Sequence, residues 1–375
     1  GSTTSLRIVD GVVHSVAMPA LPGDTVLHAA GRLLLPAMAE AHAHLDKAFL
    51  SETVPNPTGD LMGAILAMEA NRDRITLADT EVRAERAARL IAANGATAIR
   101  THADLTITNG LMSVQALLSV RDRLRDIVHI EVFALSGWPS IGTAGATQRA
   151  LLREAIAMGI DGVGGCPHLE DDPAEANDLF LSIAAEFGLP VDLHTDETLV
   201  PERFALEDLA ARVLASGFPH RVAASHCVSL GMQPAATQQR VAEKVALAGI
   251  SVIALPSSNL FLQGREHQQG MPRALTALRA LRSAGANVAA GADNLQDPFN
   301  PVGRGDCLET ASLMVMAGHQ LPELAFHTVS GAVRALMGLP EAAVEVGAAA
   351  DFVLLPAASI REAIAFGAAD RTVIR

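Results

Sequence analysis

Short apolar runs that end in polar residues, each followed by a helical stretch, recur along this chain of 375 residues. The runs are LLLPAMAEAHAHLD (33–46), ATAIRTHAD (96–104), HIEVFALSG (129–137) and GVGGCPHLE (162–170). They continue as PVDLHTDE (190–197), RVAASHC (221–227), ISVIALPSS (250–258) and NVAAGADN (287–294). Between them lie segments such as TEVRAERAARLIAANG (80–95) and ATQRALLREAIAMG (146–159), apolar at i, i+3 and i+4 and closed by Gly. That period and that stop signal predict amphipathic helices. Eight buried strands alternating with helices over about 260 residues predict an α/β fold, a (β/α)8 TIM-type barrel. A doubly wound open sheet is the alternative, because closure is not written in a linear pattern.

The two ends read differently. Residues 5–37 alternate like antiparallel β structure, with VDG as a turn, and VGAAADFVLLP (346–356) and DRTVIR (370–375) do likewise. The expected organisation is a small flanking β domain formed by the two chain ends, 1–36 and 344–375, around a barrel of 37–343.

Composition narrows the class of function. Half of the chain is hydrophobic, enough for a large core, and no apolar run reaches the length of a membrane span. The net charge of −13 without a basic cluster argues against nucleic acid and anionic membranes as partners. Cys166, Cys227 and Cys307 are far apart and form no CxxC, which fits a reduced, cytoplasmic protein. A small-molecule enzyme or binder is expected, with a homo-oligomer left open.

In a parallel barrel the site lies at the C-terminal strand ends. Those ends carry His42 and His44, His102, His168, His194 with Glu197, His226, and Asp293. His42 and His44 are two apart, so on a strand they share a face. Alone, that spacing fits a metal pair and a pair of satisfied core histidines equally. With His194 and Asp293 added, three imidazoles and one carboxylate make an N/O set suited to one Zn2+ or Fe2+ with a position open to water. Glu197 is placed to move a proton from the attacking water to a leaving nitrogen, or else is a helix-start acid. His226 is read as contacting the water or the substrate, with a core histidine as the alternative. His102 and His168 either face substrate or support the ligands.

The ordered pieces HAHLDK, RTHAD, CPHLE, DLHTDE, ASHC, NLFLQGR and GADNLQDPFNP resemble the amidohydrolase superfamily. The resemblance is to the branch of cytosine deaminase and N-isopropylammelide isopropylaminohydrolase. It implies His42, His44, His194 and Asp293 as ligands of one divalent metal, with Glu197 as proton shuttle. It implies His226 beside the attacking water and Asp293 among the catalytic groups. No lysine stands near the end of the fourth run, where binuclear relatives carry a carboxylated one; Cys166 and His168 are there instead.

Ser136 stands where cytosine deaminase has a Gln that reads the pyrimidine, with Gly137 and Trp138 next. Asn294 replaces a second Asp, and Lys47 follows the isopropylammelide pattern or forms a salt bridge with Asp46 or Asp104. Lys47, Ser136, Trp138, His168, Gln263 and Asn294 are the expected substrate contacts. Leu61, Ile65 and Met68 are expected to pack their helix rather than to line a pocket.

The implied activity is a mononuclear metal-dependent hydrolysis at C–N bonds other than peptide bonds. It removes an amine or alkylamine from a nitrogen heterocycle other than cytosine. The alternative is opening of a cyclic amide or imide by the same site.

Overall fold

The segments that alternate with amphipathic helices become parallel strands because both their faces are covered. In the computed structural model, which describes residues 4–375, these strands are Met38–Ala43, Ala96–Leu105, His129–Ser136, Val191–Thr195, Val222–His226, Ser251–Ala254 and Val288–Ala290. The first three pair in parallel as one sheet and the last four as another. Parallel bridges join the sheets through segment 162–165: Phe133 to Gly162, Ser136 to Gly165, and Val163 to Val191. A bridge from Ala43 to Asp293 links the first staff to the last, so the pairing runs round a closed ring.

The fourth expected strand is thus corrected to a bridged segment. Its glycines allow close approach but cannot supply a regular ladder of side chains. A Cβ on Gly162 would lie 2.1 Å from the Phe133 ring, and one on Gly165 would lie 2.2 Å from the Phe180 ring. Pro167 then has no N–H to continue pairing, and Pro167–Leu169 turns as a 3-10 helix carrying His168.

The helices follow the sequence logic. Thr76 caps Leu77–Ala93 by accepting from the Asp79 N–H, and the helix buries Ala84, Ala87, Ala88 and Ile91. These positions repeat at three and four, which turns one stripe to the barrel. Gly95, at φ +96°, ends the element and leads directly into the next strand.

At the ends, Leu6–Val9 and Val12–Val16 form an antiparallel hairpin that turns at Asp10–Gly11. Leu33–Pro36 pairs antiparallel with Phe352–Leu355, which pairs with Thr372–Ile374. Val13, Ala350 and Phe352 share a small core there. Residues 1–3 of the expected terminal segment lie outside the described residues. No helix among the described residues is long and apolar enough to cross a membrane.

Candidate active site

Four acceptor groups converge where the strands end. His44 Nε2 lies 3.2 Å from Asp293 Oδ1, His42 Nε2 lies 3.7 Å from the same oxygen, and His194 Nε2 faces His44 Nε2 at 3.4 Å. The alternation of Met38–Ala43 aims His42 inward, and His44 follows just past its end. His194 is delivered by Val191–Thr195. Asp293 follows Val288–Ala290 and is held by its N–H donating to the His42 carbonyl. His226 and Asp293 both have left-handed backbone, at φ +68° and +65°. Non-glycine residues rarely accept that conformation, and it concentrates at functional sites.

The protonation pattern suits a cation. His42 Nδ1 lies 2.9 Å from Ser225 Oγ, which itself donates to Asp192 Oδ1 at 2.7 Å. The serine proton is committed to the carboxylate, so His42 Nδ1 is the donor and its Nε2 keeps a lone pair. That Nε2 has no partner, nor have Asp293 Oδ1 and His226 Nε2. Burial holds His42, His44 and His194 well below the usual imidazole range, so all three are neutral. Unpartnered buried acceptors at His42 Nε2 and Asp293 Oδ1, crowded by the uncharged imidazoles of His44 and His194, fit a metal ion. Ligand atoms of His42, His44 and Asp293 lie within 4.8 Å of one another, as do those of His42, His194 and His226.

Glu197 stands beside this cluster, with Oε1 3.5 Å from His226 Nδ1 and Oε2 4.0 Å from His168 Nε2. Burial, reinforced by the Asp293 charge, pushes its carboxyl well above the ordinary range. Asn259 Oδ1 accepts from His226 Nδ1 at 3.1 Å, and the His194 carbonyl accepts from His168 Nδ1 at 2.9 Å. Burial lowers both of those imidazoles to about 4.

A cavity of about 360 Å³ opens onto these groups. Lys47, Ser136, Trp138, His168 and Asn294 line it together with His44, His194, Glu197, His226 and Asp293. Lys47 also pairs with Asp104 at 2.5 Å, the salt bridge expected of it, from a position on the cavity wall. Ser136 Oγ accepts from Gln148 Nε2, and Asn294 is held between Ser258 and Asp297.

Gln263 does not line the cavity; its Nε2 donates to Asn259 Oδ1 from behind, at 3.3 Å. The NLFLQGR stretch enters a helix, Pro256–Leu262, rather than a loop, which turns Asn259 and not Gln263 toward His226. His102 is likewise away from the cavity, stacked on His42 with ring centroids 4.1 Å apart. Asp46 supports the loop by accepting from the Asp104 N–H.

The expectation for the helix Leu61–Ala70 is corrected: Leu61, Ile65 and Met68 line the cavity, with Met62 and Leu66 at its edge. Arg72 and Phe299 also line it and were not among the expected contacts.

A sequence profile described as "Amidohydrolase family" matches residues 76–375. The chain belongs to the amidohydrolase family. This amidohydrolase is 32% identical to a pterin deaminase of Rhizobium rhizogenes, over 98% of this chain and 85% of that protein. It is 25% identical to the N-isopropylammelide isopropyl amidohydrolase of a Pseudomonas species, over 90% of this chain and 83% of that one. Among solved structures it is similar to the 5-methylcytosine deaminase of Klebsiella pneumoniae with 5-fluorocytosine bound. There the TM-score is 0.90 at 29% identity, over 99% of this chain and 92% of that one.

Proposed function

We propose that this amidohydrolase is a metal-dependent deaminase of an amino-substituted, fused-ring nitrogen heterocycle of about pterin size. The observation that carries the reading is the convergence of His42, His44, His194 and Asp293 acceptors beside Glu197. A single divalent ion, Zn2+ or Fe2+, would be held by those four residues and would supply Lewis acidity to water and to the ring carbon.

The protein's own groups do the rest. Glu197 takes a proton from the attacking water at a carboxylate oxygen and delivers it to the exocyclic nitrogen. A carboxyl raised by burial holds a proton more firmly than an exposed one and can both accept and release it there. His226, its Nδ1 committed to Asn259, offers Nε2 to accept from the water, and Asp293 accepts the water's second proton, which passes to the ring nitrogen beside the attacked carbon. The ring carbon gains an oxygen, the bond to the exocyclic nitrogen breaks, and ammonia leaves. Leu61, Ile65, Leu169 and Phe299 form apolar walls that exclude water around a flat ring.

Space and kinship both favour a fused ring. The cavity of about 360 Å³ exceeds what one pyrimidine fills, and Ser136 followed by Gly137 leaves room beside the ring. A pterin deaminase is among the relatives. Three free cysteines suit a reducing compartment, and we place the enzyme in the cytoplasm. We divide the chain into a barrel of 37–343 and a small β domain of 1–36 and 344–375, supported by the pairing of Leu33–Pro36 with Phe352–Leu355.

The test is ammonia release from aminated pyrimidines, triazines and pterins, with metal analysis of the same preparations. Fused rings should be the fastest substrates, and Glu197→Gln should retain metal while losing turnover. Turnover without ammonia would mean ring opening, and an unimpaired variant would sink the mechanism.

A further inference from the structure

On the outer face of the barrel a second cleft, about 690 Å³, shares no residue with the catalytic cavity. Loop 272–277, the helix Leu278–Ser283 and the turn 317–320 form its walls. Arg273, Arg279 and Arg282 line it, and no Asp or Glu does. In a chain with 41 acidic residues and a net charge of −13, three guanidiniums gathered away from any carboxylate need a reason.

None of the partners they do have is a carboxylate. Arg273 Nη1 donates to the Ala317 carbonyl at 3.2 Å and touches His319 Nε2, and Arg282 Nη1 donates to Gln320 Oε1. Such acceptors orient a guanidinium without cancelling its charge. Arg279 is exposed and has no side-chain hydrogen bond among the described residues. Between them, Thr276 is only 5% exposed, yet its Oγ1 has no hydrogen-bond partner.

We propose that this cleft binds a small phosphate-bearing molecule. Guanidinium forks match phosphate oxygens two at a time, and their fixed geometry lowers the ordering cost of binding. The cleft is larger than a lone phosphate requires, so it has space for an organic portion of roughly mononucleotide size. An occupant would also lie against Gly231 and Met232, at the end of the short helix that begins just after Cys227 and follows His226. Gly231 packs so closely on this wall that a Cβ there would lie 2.1 Å from the Leu275 carbonyl oxygen.

The experiment titrates the metal-loaded protein with sodium pyrophosphate and a mononucleotide, by calorimetry and thermal unfolding. Sodium chloride holds the ionic strength constant, and succinate is the control for charge alone. A ligand that binds the folded form raises Tm with concentration. The expected result is a saturable rise with the phosphate compounds, absent with succinate. Affinity should fall at least tenfold in Arg279→Ala and in Arg282→Ala, with ammonia release unchanged without the anion. Equal responses to succinate, no response beyond chloride, or variants that bind like wild type would overturn the proposal.

Discussion

The mouth and the floor of this barrel are equally buried and both rich in polar groups, but they treat hydrogen bonds in opposite ways. On the floor, Arg100 donates from all three guanidinium nitrogens, to Glu131 at 2.8 and 2.9 Å and to Asp192 at 3.0 Å. Its guanidinium also lies over the Phe133 ring, 4.2 Å from the centroid. At the mouth, His42 Nε2, His168 Nε2, His226 Nε2 and Asp293 Oδ1 have no partner. A buried polar atom without a partner costs roughly 1–3 kcal/mol, so a group of them persists where something else uses them. The Arg100 network closes its valences; the mouth keeps its valences for a metal and a substrate.

The comparison breaks most completely at the ligands. His44→Ala, or prolonged treatment of wild type with a chelator, should remove the bound metal and reduce ammonia release to background. Metal analysis before and after readdition checks it: the chelated wild type should recover and the variant should not. Glu197→Gln comes next. It should retain the metal but lose about a hundred- to ten-thousand-fold in turnover, the usual reach of a positioned acid–base group. A variant that lost metal along with turnover would move Glu197 from proton transfer to metal retention.

The floor should fail through stability instead. Arg100→Met leaves Asp192 buried without its cation and Glu131 with only Arg221, 3.8 Å away, and breaking such a pair costs about 3–5 kcal/mol. Urea unfolding of the metal-free protein measures it. A loss under about 1 kcal/mol would mean that the network is not what stabilises the floor.

The same contrast explains what could be read from the sequence. The recurring strands and the histidines at their ends were legible because both follow from local pattern: a run, a polar end, then a helix. The fourth staff was not, since Gly162, Gly164 and Gly165 pair by close backbone approach rather than by β-forming side chains. The helix Leu61–Ala70 is apolar apart from Glu69 near its end, a pattern that reads as core packing. Only its position over the cavity reveals Leu61, Ile65 and Met68 as lining. Gln263 and Asn259 are four residues apart in one motif, and which of them meets His226 depends on a helix beginning at Pro256. Arg100, Asp192 and Ser225 stood in recognised motifs, but their partnership crosses strands and depends on register.

That partnership also joins the two regions, and it supplies the mildest test. Asp192 takes Arg100 on one oxygen and the Ser225 hydroxyl on the other, and Ser225 accepts from His42 Nδ1. The chain fixes which His42 nitrogen carries the proton, and so which one is free for the metal. Ser225→Ala removes the link while leaving the Arg100–Asp192 pair intact. Partners behind a ligand of this kind are worth about 10–100-fold in metal affinity. The variant should therefore unfold near the wild-type urea midpoint when metal-free, yet yield its metal to a competing chelator at correspondingly lower concentration. Ser225→Thr, which keeps the hydroxyl, should restore most of the affinity. If Ser225→Ala holds metal as tightly as wild type, the floor does not orient His42, and the two ends of the barrel act independently.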